Sequence, residues 1–141
     1  MTRVDFYLTG ETSNTDKDLA VCKLTHKAFH LGHEVYILTA SPEESAQLDR
    51  LLWTFSAGSF IPHAVDTGQA EKKYPVLIGE HEPPESWQDV LISLTATVPE
   101  CFSRFSRVVE FVGSTPEGKQ QARERYRFYR ERGYRLHTHN L

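Results

Sequence analysis

Cysteine is scarce in this sequence, and long apolar segments are missing from it. The 141 residues include only two cysteines, Cys22 and Cys101, which do not form a CxxC pair. That spacing favours reduced, buried thiols over a disulfide framework. No apolar run approaches the ~20 residues that a transmembrane helix needs, and residues 1–16 lack the apolar core of an export signal. We therefore expect a cytoplasmic protein that does not enter a membrane.

Recognisable catalytic and nucleotide-binding motifs are also missing. Neither GxGxxG nor GxxxxGK[ST] follows the first strand-like segment, and there is no GxSxG nucleophile elbow. The turn GSTPEG, residues 113–118, could offer backbone N–H groups to an anion at a helix N-terminus. A Ser-Thr pair in such a turn more often caps the helix. The sequence favours a protein without catalysis, and a nucleotide-binding enzyme that uses this turn stays open as an alternative.

The histidine spacing raises the question of a metal site. His26, His30 and His33 follow an H-x3-H-x2-H pattern, and the first two share a helix face. No carboxylate completes a ligand set on that face, so we expect neither a metal nor another cofactor. His137 and His139 point to the same side of a C-terminal strand-like segment. An exposed polar sheet edge is the expected environment of these two residues.

Strand-like and helix-like patterns alternate along the chain and indicate an α/β fold. Gly32 is typical of a helix end, and Ser41 and Pro42 are typical of a helix N-cap and first turn. Strands rich in Val, Ile and Leu predict a mostly parallel sheet with helices on both faces. No linker or repeat interrupts residues 1–141, so we expect one domain. The predicted strands are VDFYLT, EVYILTA, YPVLIG, DVLISLT, RVVEFV and YRLHTHN, and a short helix is predicted at PECFSRF.

The stretch KQQARERYRFYRERGYRL, residues 119–136, has seven Lys or Arg among eighteen residues, although the formal net charge of the chain is −3. On a helical wheel, four of these cations fall within an arc of about 80°, beside a stripe expected to reach the core. The cations are Lys119, Arg123, Arg127 and Arg130, and the stripe is Ala122, Tyr126 and Tyr129. A ligand with both carboxylates and an apolar side chain would match the two arcs. A merely solvated helix and direct binding of nucleic acid are alternatives, the second disfavoured by the acidic remainder of the chain.

A second candidate surface is LLWTFSAGSFIPH, residues 51–63. Trp53, Phe55 and Phe60 crowd around a turn that contains Gly58. This segment either folds into the core or forms an apolar patch of the kind that anchors a protein partner.

Several of these segments resemble the family of bacterial DNA polymerase III chi subunits. FYLT, LDRLLW, SFIPH, DVLISL, VVEFV and KQQARERYRFYRERGY occur in this order through nearly the whole chain. The combination of SFIPH with VVEFV and ARERYRFYR is the most specific part of the resemblance. The resemblance implies a non-catalytic clamp-loader accessory subunit, with a Rossmann-like fold that lacks a nucleotide-binding loop.

The resemblance also implies two protein partners and only indirect contact with DNA. One partner would be the acidic, Phe-terminated tail of single-stranded DNA-binding protein, and the other would be the psi subunit. The positions that match the family's tail-binding residues are Lys119, Arg123, Tyr126, Arg127 and Val112, and those that match its psi-contacting aromatics are Trp53 and Phe60. The sequence departs from the family at Arg127, where a Lys is expected, and at Gly118 and Gln121, which replace larger apolar residues.

Overall fold

A seven-stranded sheet runs through the computed structural model, which describes residues 1–9, 14–58, 60–67 and 74–140. The strands are β1 (Arg3–Leu8), β2 (Val35–Leu38), β3 (His63–Val65), β4 (Val76–Gly79), β5 (Val90–Ser93), β6 (Arg107–Val112) and β7 (Arg135–Asn140). The α-helices are α1 (Asn14–His30), α2 (Pro42–Thr54) and α3 (Pro116–Glu131), and a 3-10 helix covers Glu100–Arg104. The strand order is β3-β4-β2-β5-β6-β1-β7, and every pairing is parallel.

Helix ends fall where the sequence predicts them. The Ser41 hydroxyl caps α2 by accepting a hydrogen bond from the Glu44 N–H at 3.2 Å. Gly32 has a φ of 90° just after α1, a left-handed conformation that side chains with a Cβ disfavour. The polar segment GETSNTD after β1 is also typical of a helix cap, but residues 10–13 lie outside the described part of the chain, as do Ser59 of the SFIPH segment and Leu141.

The helices cover both faces of the sheet, as predicted. On the first face, α1 and α2 pack over a core that includes Val21, Leu48, Ile37 and Ile92. On the second face, Tyr129 of α3 and Phe102 of the 3-10 helix pack in one core cluster with Phe6, Tyr36 and Leu91 of the sheet. Both cysteines are free thiols and buried, in agreement with the sequence analysis.

Strand β3 corrects the sequence analysis, which left the region after residue 63 without a strand. The three residues His63–Val65 pair with β4 and form one sheet edge. So short a run lacks the alternating pattern that identifies a strand, and only its pairing with β4 defines it. Strand β7 confirms the predicted last edge strand at the other side of the sheet.

No helix in the described ranges combines the length and apolar character needed to cross a membrane.

A buried carboxylate links the three strands at the β7 side. Asp5 of β1 is fully buried and accepts hydrogen bonds from Arg3 at 3.1 Å, Arg107 at 2.8 Å and His139 at 2.8 Å. Burial alone would raise the pKa of Asp5, but the hydrogen bonds from His139 and Arg3 and the charge of Arg107 outweigh it and lower the pKa. His139 therefore takes part in an ion-pair cluster, and the expectation of a merely exposed polar edge was wrong for this residue.

We expect Asp5→Asn to lower the free energy of unfolding by about 1–3 kcal/mol at neutral pH, because Asn cannot balance the charge of its partners. A lowered native pKa means that the ionised group stabilises the fold above its unfolded pKa, near 3.8, and that this contribution is lost as the pH falls through the native value. The difference between wild type and variant should therefore shrink below about pH 4. Urea unfolding followed by Trp87 fluorescence measures it at each pH. A constant difference down to pH 2 would contradict this account, and Glu124→Gln, at an exposed position, is the control.

Candidate functional site

An apolar cavity with a cationic rim lies between α3 and the strands β1 and β7. Its volume is about 510 Å³. Phe6 and Leu8 from β1, Val112 from β6 and Ala122 from α3 give it apolar walls. The residues that complete the lining are Gly113, Lys119, Arg123, Tyr126, Thr138 and Asn140. We call this feature the α3 cavity; it offers apolar area and positive charge to the same ligand.

Four of the five residues predicted for tail binding line the α3 cavity together. They are Val112, Lys119, Arg123 and Tyr126. The fifth, Arg127, is exposed one helical turn beyond Arg123 and is not among the lining residues. Gly118 and Gln121 line a neighbouring cavity instead. The helical phase of α3 therefore correctly predicted that Lys119, Arg123 and Tyr126 share one side of the helix.

The buried side of α3 explains why its cations face solvent at this cavity. Tyr129 is fully buried, and its ring lies edge-on to Phe6, with a centroid separation of 6.0 Å. Tyr126 is half-buried, and its ring contacts Phe6 edge-on at 5.4 Å. The tyrosine stripe is therefore core and core edge, as predicted. Arg123, on the arc beside it, donates a 3.4 Å hydrogen bond to the Gln120 side chain and remains exposed.

A buried ion pair fixes the rotation of α3 over the sheet. Arg125 donates to the Glu110 carboxylate of β6, and its Nη1 donates to the Ala96 carbonyl at 2.8 Å. The Tyr129 hydroxyl donates to the other Glu110 oxygen at 2.8 Å. Burial raises the pKa of Glu110 while the charge of Arg125 opposes that rise, and burial together with the charge of Glu110 raises the pKa of Tyr129. Sequence reasoning counted Arg125 among the positive charges and missed its structural role.

Residues from β1 and β7 complete the α3 cavity and were not predicted as part of it. Phe6, Leu8, Thr138 and Asn140 lie on the same face because side chains alternate along a strand. Alternation in the two segments could have indicated this face. The sequence could not show that β1 and β7 are neighbours, since their pairing joins residues more than 130 positions apart.

The turn 113–118 uses its own donors to cap α3. The Thr115 hydroxyl accepts a hydrogen bond from the Gly118 N–H at 3.0 Å. The Lys119 N–H donates to the Thr115 carbonyl at 2.9 Å. These two N–H groups are engaged within the protein, as expected of a capping turn.

The three histidines of α1 and its C-terminus do not converge on a common point. The rings of His26 and His30 are 4.2 Å apart between centroids, whereas His33 bonds through Nδ1 to the Asp89 carboxylate at 3.0 Å. Within the described ranges, no group of three or more His, Cys, Asp or Glu side chains is arranged to hold a metal ion.

Trp53 and Phe60 form an exposed aromatic pair at the β3 side of the sheet, which we call the Trp53 surface. They are 46% and 64% exposed, with ring centroids 5.6 Å apart. Beneath them Ile61 is fully buried, and the buried His63 lies 4.2 Å from Trp53 between ring centroids. Both predictions for this segment therefore hold in part, since its base is core and its tip is an apolar patch.

The α3 cavity and the Trp53 surface lie at opposite edges of the sheet. Six inter-strand steps separate β3 from β7, which corresponds to about 29 Å at the usual spacing. They also lie on opposite faces, because α2 covers the first face and α3 covers the second. Two ligands could therefore occupy them at the same time.

The fold defines a Rossmann-like α/β domain, and within the described ranges it carries an apolar cavity with a cationic rim and an exposed aromatic pair. The family model described as "DNA polymerase III chi subunit, HolC" matches residues 1–137. The chain belongs to this family of DNA polymerase III chi subunits, which are accessory subunits in DNA replication.

Curated relatives agree with this assignment. The chain is 41% identical over 141 residues to the DNA polymerase III subunit chi of Pseudomonas aeruginosa, covering 100% of this chain and 98% of that protein. It is 32% identical over 143 residues to the subunit chi of Escherichia coli K12, covering 98% and 97%. The subunit chi of Haemophilus influenzae is 27% identical over 144 residues, covering 96% and 95%.

Proposed function

We propose that this chain is a non-catalytic adaptor of the clamp-loader assembly that binds the acidic, Phe-terminated tail of single-stranded DNA-binding protein in the α3 cavity. It binds the psi subunit through the Trp53 surface. The observation that carries the proposal is the apolar α3 cavity, with Lys119 and Arg123 on its rim. The terminal Phe of the tail would fill the apolar part of the cavity. The carboxylates of the tail would meet Lys119 and Arg123.

The two parts of this contact differ in strength. Burying one Phe side chain contributes roughly 1.5–3 kcal/mol. Each exposed ion pair contributes roughly 0.2–1 kcal/mol and is screened by salt. A single tail should therefore bind weakly. Several tails on one partner would raise the effective concentration and convert weak contacts into a stable tether.

We expect removal of the terminal Phe from the tail peptide to weaken binding by about 10- to 150-fold, because the apolar burial is lost. Arg123→Ala should weaken binding of the intact peptide by about 2- to 5-fold, because one exposed ion pair is lost. Fluorescence polarisation with a labelled peptide measures both effects.

Arg130→Ala is the matched control, since Arg130 lies on the same helix outside the lining of the α3 cavity. Equal loss in the two arginine variants would mean that only the overall charge of α3 matters. An unchanged affinity for the peptide without its Phe would refute the apolar contact. Arg127→Ala tests whether that exposed residue reaches the bound tail.

A further inference from the structure

In the part of the chain that the structure describes, no helix covers the first face of the sheet along its β7 side. Every residue of β7 is at least partly exposed, and Tyr7 of β1 is only half-buried. Parallel sheets are usually covered on both faces. On the second face α3 provides this cover by packing against β7, whereas on the first face α1 packs against the central strand β2. The strip between α1 and β7 is therefore a surface that neither the fold nor the proposed function uses.

Three cross-strand rows of side chains form this strip, because residues paired in register point to the same face. Arg135, Arg3 and Arg107 form the first row, and His137, Asp5 and Val109 form the second. His139, Tyr7 and Phe111 form the third. The row of arginines therefore lies four residues along β1 from the row of rings, with the Asp5 row between them.

The buried Asp5 carboxylate holds two of these arginines in place. It accepts hydrogen bonds from Nε and Nη2 of Arg3 and from Nε of Arg107. The two side chains remain 44% and 38% exposed, so their other N–H groups are accessible from solvent. Guanidinium groups fixed in this way are suited to bidentate contact with a carboxylate.

Two cavities follow the strip along α1, with volumes of about 280 and 550 Å³. Both are lined by Tyr7, Leu24 and Lys27, so they form one continuous groove, which we call the β1 groove. The other apolar side chains in the groove are Leu19, Ala20, Ala28, Leu31, Val90, Val109 and Phe111. The groove therefore has an apolar lining next to the arginine row.

The charge around the β1 groove is opposite in sign to that of the whole chain. Arg3, Arg107, Arg135, Lys23 and Lys27 supply five positive charges, and Asp5, Asp16 and Asp89 supply three negative ones, which leaves a net +2 against −3 for the chain. Of these carboxylates, Asp89 is bonded to His33 and Asp5 to the arginines. An acidic ligand is the complement of this surface.

We propose that the β1 groove is a second docking site for an acidic protein segment that carries a large apolar side chain. The apolar side chain lies against Leu24 and Val109, and the carboxylates meet the arginine row and Lys27. This chemistry resembles that of the α3 cavity, but the site uses other residues on the other face of β1.

Nucleic acid fits this surface less well, because bases need an open aromatic face on which to stack. The Tyr7 ring is stacked at 4.5 Å from His139 and at 5.5 Å from Phe111, so both of its faces are covered. The lining of the groove is also mainly aliphatic. A protein segment with one apolar anchor uses these features, whereas a polynucleotide does not.

The test is an NMR titration of the isotope-labelled full chain with a short synthetic peptide of aspartates ending in phenylalanine. We expect amide shifts at Tyr7 and Lys27 as well as at Ala122. In the double variant Lys27→Glu/Arg135→Glu, the peptide affinity derived from the amide shifts at positions 7 and 27 should fall about tenfold. The peptide affinity derived from the Ala122 shift should stay within twofold. Arg123→Ala should instead lower the affinity reported by Ala122 by about 2- to 5-fold and leave that reported by Tyr7 and Lys27 within twofold. Both residues of the double variant are exposed and lie outside the Asp5 cluster.

A matched control is Arg130→Glu/Arg132→Glu, which changes the net charge equally but lies in the last turn and C-cap of α3. If this control lowers the peptide affinity reported by Tyr7 by the same factor, the effect comes from the net charge of the protein alone, and the proposal is overturned. The proposal would also be overturned if the amide shifts of Tyr7 and Lys27 stayed unchanged at peptide concentrations that saturate the shift of Ala122. So would an oligonucleotide that shifts these amides when the peptide does not. Each outcome is distinct from failure at the α3 cavity, which Ala122 reports separately.

Discussion

Replacing Arg125 with methionine is expected to lower the free energy of unfolding by about 3–5 kcal/mol. Glu110 is fully buried on β6, and Arg125 supplies its counter-charge across the interface between α3 and the sheet. Methionine fills a similar volume but removes the counter-charge, and the Tyr129 hydroxyl remains as a neutral partner of the buried carboxylate. The cost is a large part of the 5–15 kcal/mol that stabilises a typical domain.

Urea unfolding followed by the fluorescence of the buried Trp87 measures this effect. Arg127→Met makes the same chemical change at an exposed position of the same helix and should stay within about 0.5 kcal/mol of wild type. The double variant Glu110→Leu/Arg125→Met should be more stable than Arg125→Met, because it removes the uncompensated charge as well. A loss below about 1 kcal/mol in the single variant, or simple additivity in the double variant, would contradict the role assigned to the pair.

Phe60→Asp is expected to weaken binding of the psi subunit by at least about 30-fold, the effect of losing an interface hot spot of 2 kcal/mol or more. Trp53 and Phe60 are both exposed, and their rings contact each other at the β3 side of the sheet. A charge in its centre adds a desolvation penalty to the lost contact area. Phe60 is largely exposed, so the fold should tolerate the change.

Reciprocal measurements separate the two proposed surfaces. Phe60→Asp should keep its affinity for the acidic tail peptide, while Arg123→Ala should keep its affinity for psi. Isothermal titration calorimetry of each variant with each partner gives the four values. Psi binding that survives Phe60→Asp unchanged would remove the Trp53 surface from the proposal, and joint loss of both partners would argue against separate sites.

Local patterns determined most of the secondary structure and part of the α3 cavity. Capping residues such as Ser41 and Gly32 set helix ends through bonds and dihedral angles within a few residues, so they can be recognised without the fold. The helical period of α3 similarly places Lys119 and Arg123 beside Tyr126, because side chains one turn apart share a face. These features depend on the chain only locally, and the structure agrees with them.

Only the tertiary structure decided which cations are free to bind a ligand and which strands complete each site. Arg125 and Arg123 are two residues apart with the same charge, yet one neutralises the buried Glu110 and the other is exposed at the α3 cavity. Phe6 and Asn140 meet in that cavity, and Arg3, Arg107 and Arg135 align in one row, because three distant strands pair in parallel. Composition and periodicity carry no information on such pairings, since the free energy that selects them comes from burial across the whole sheet.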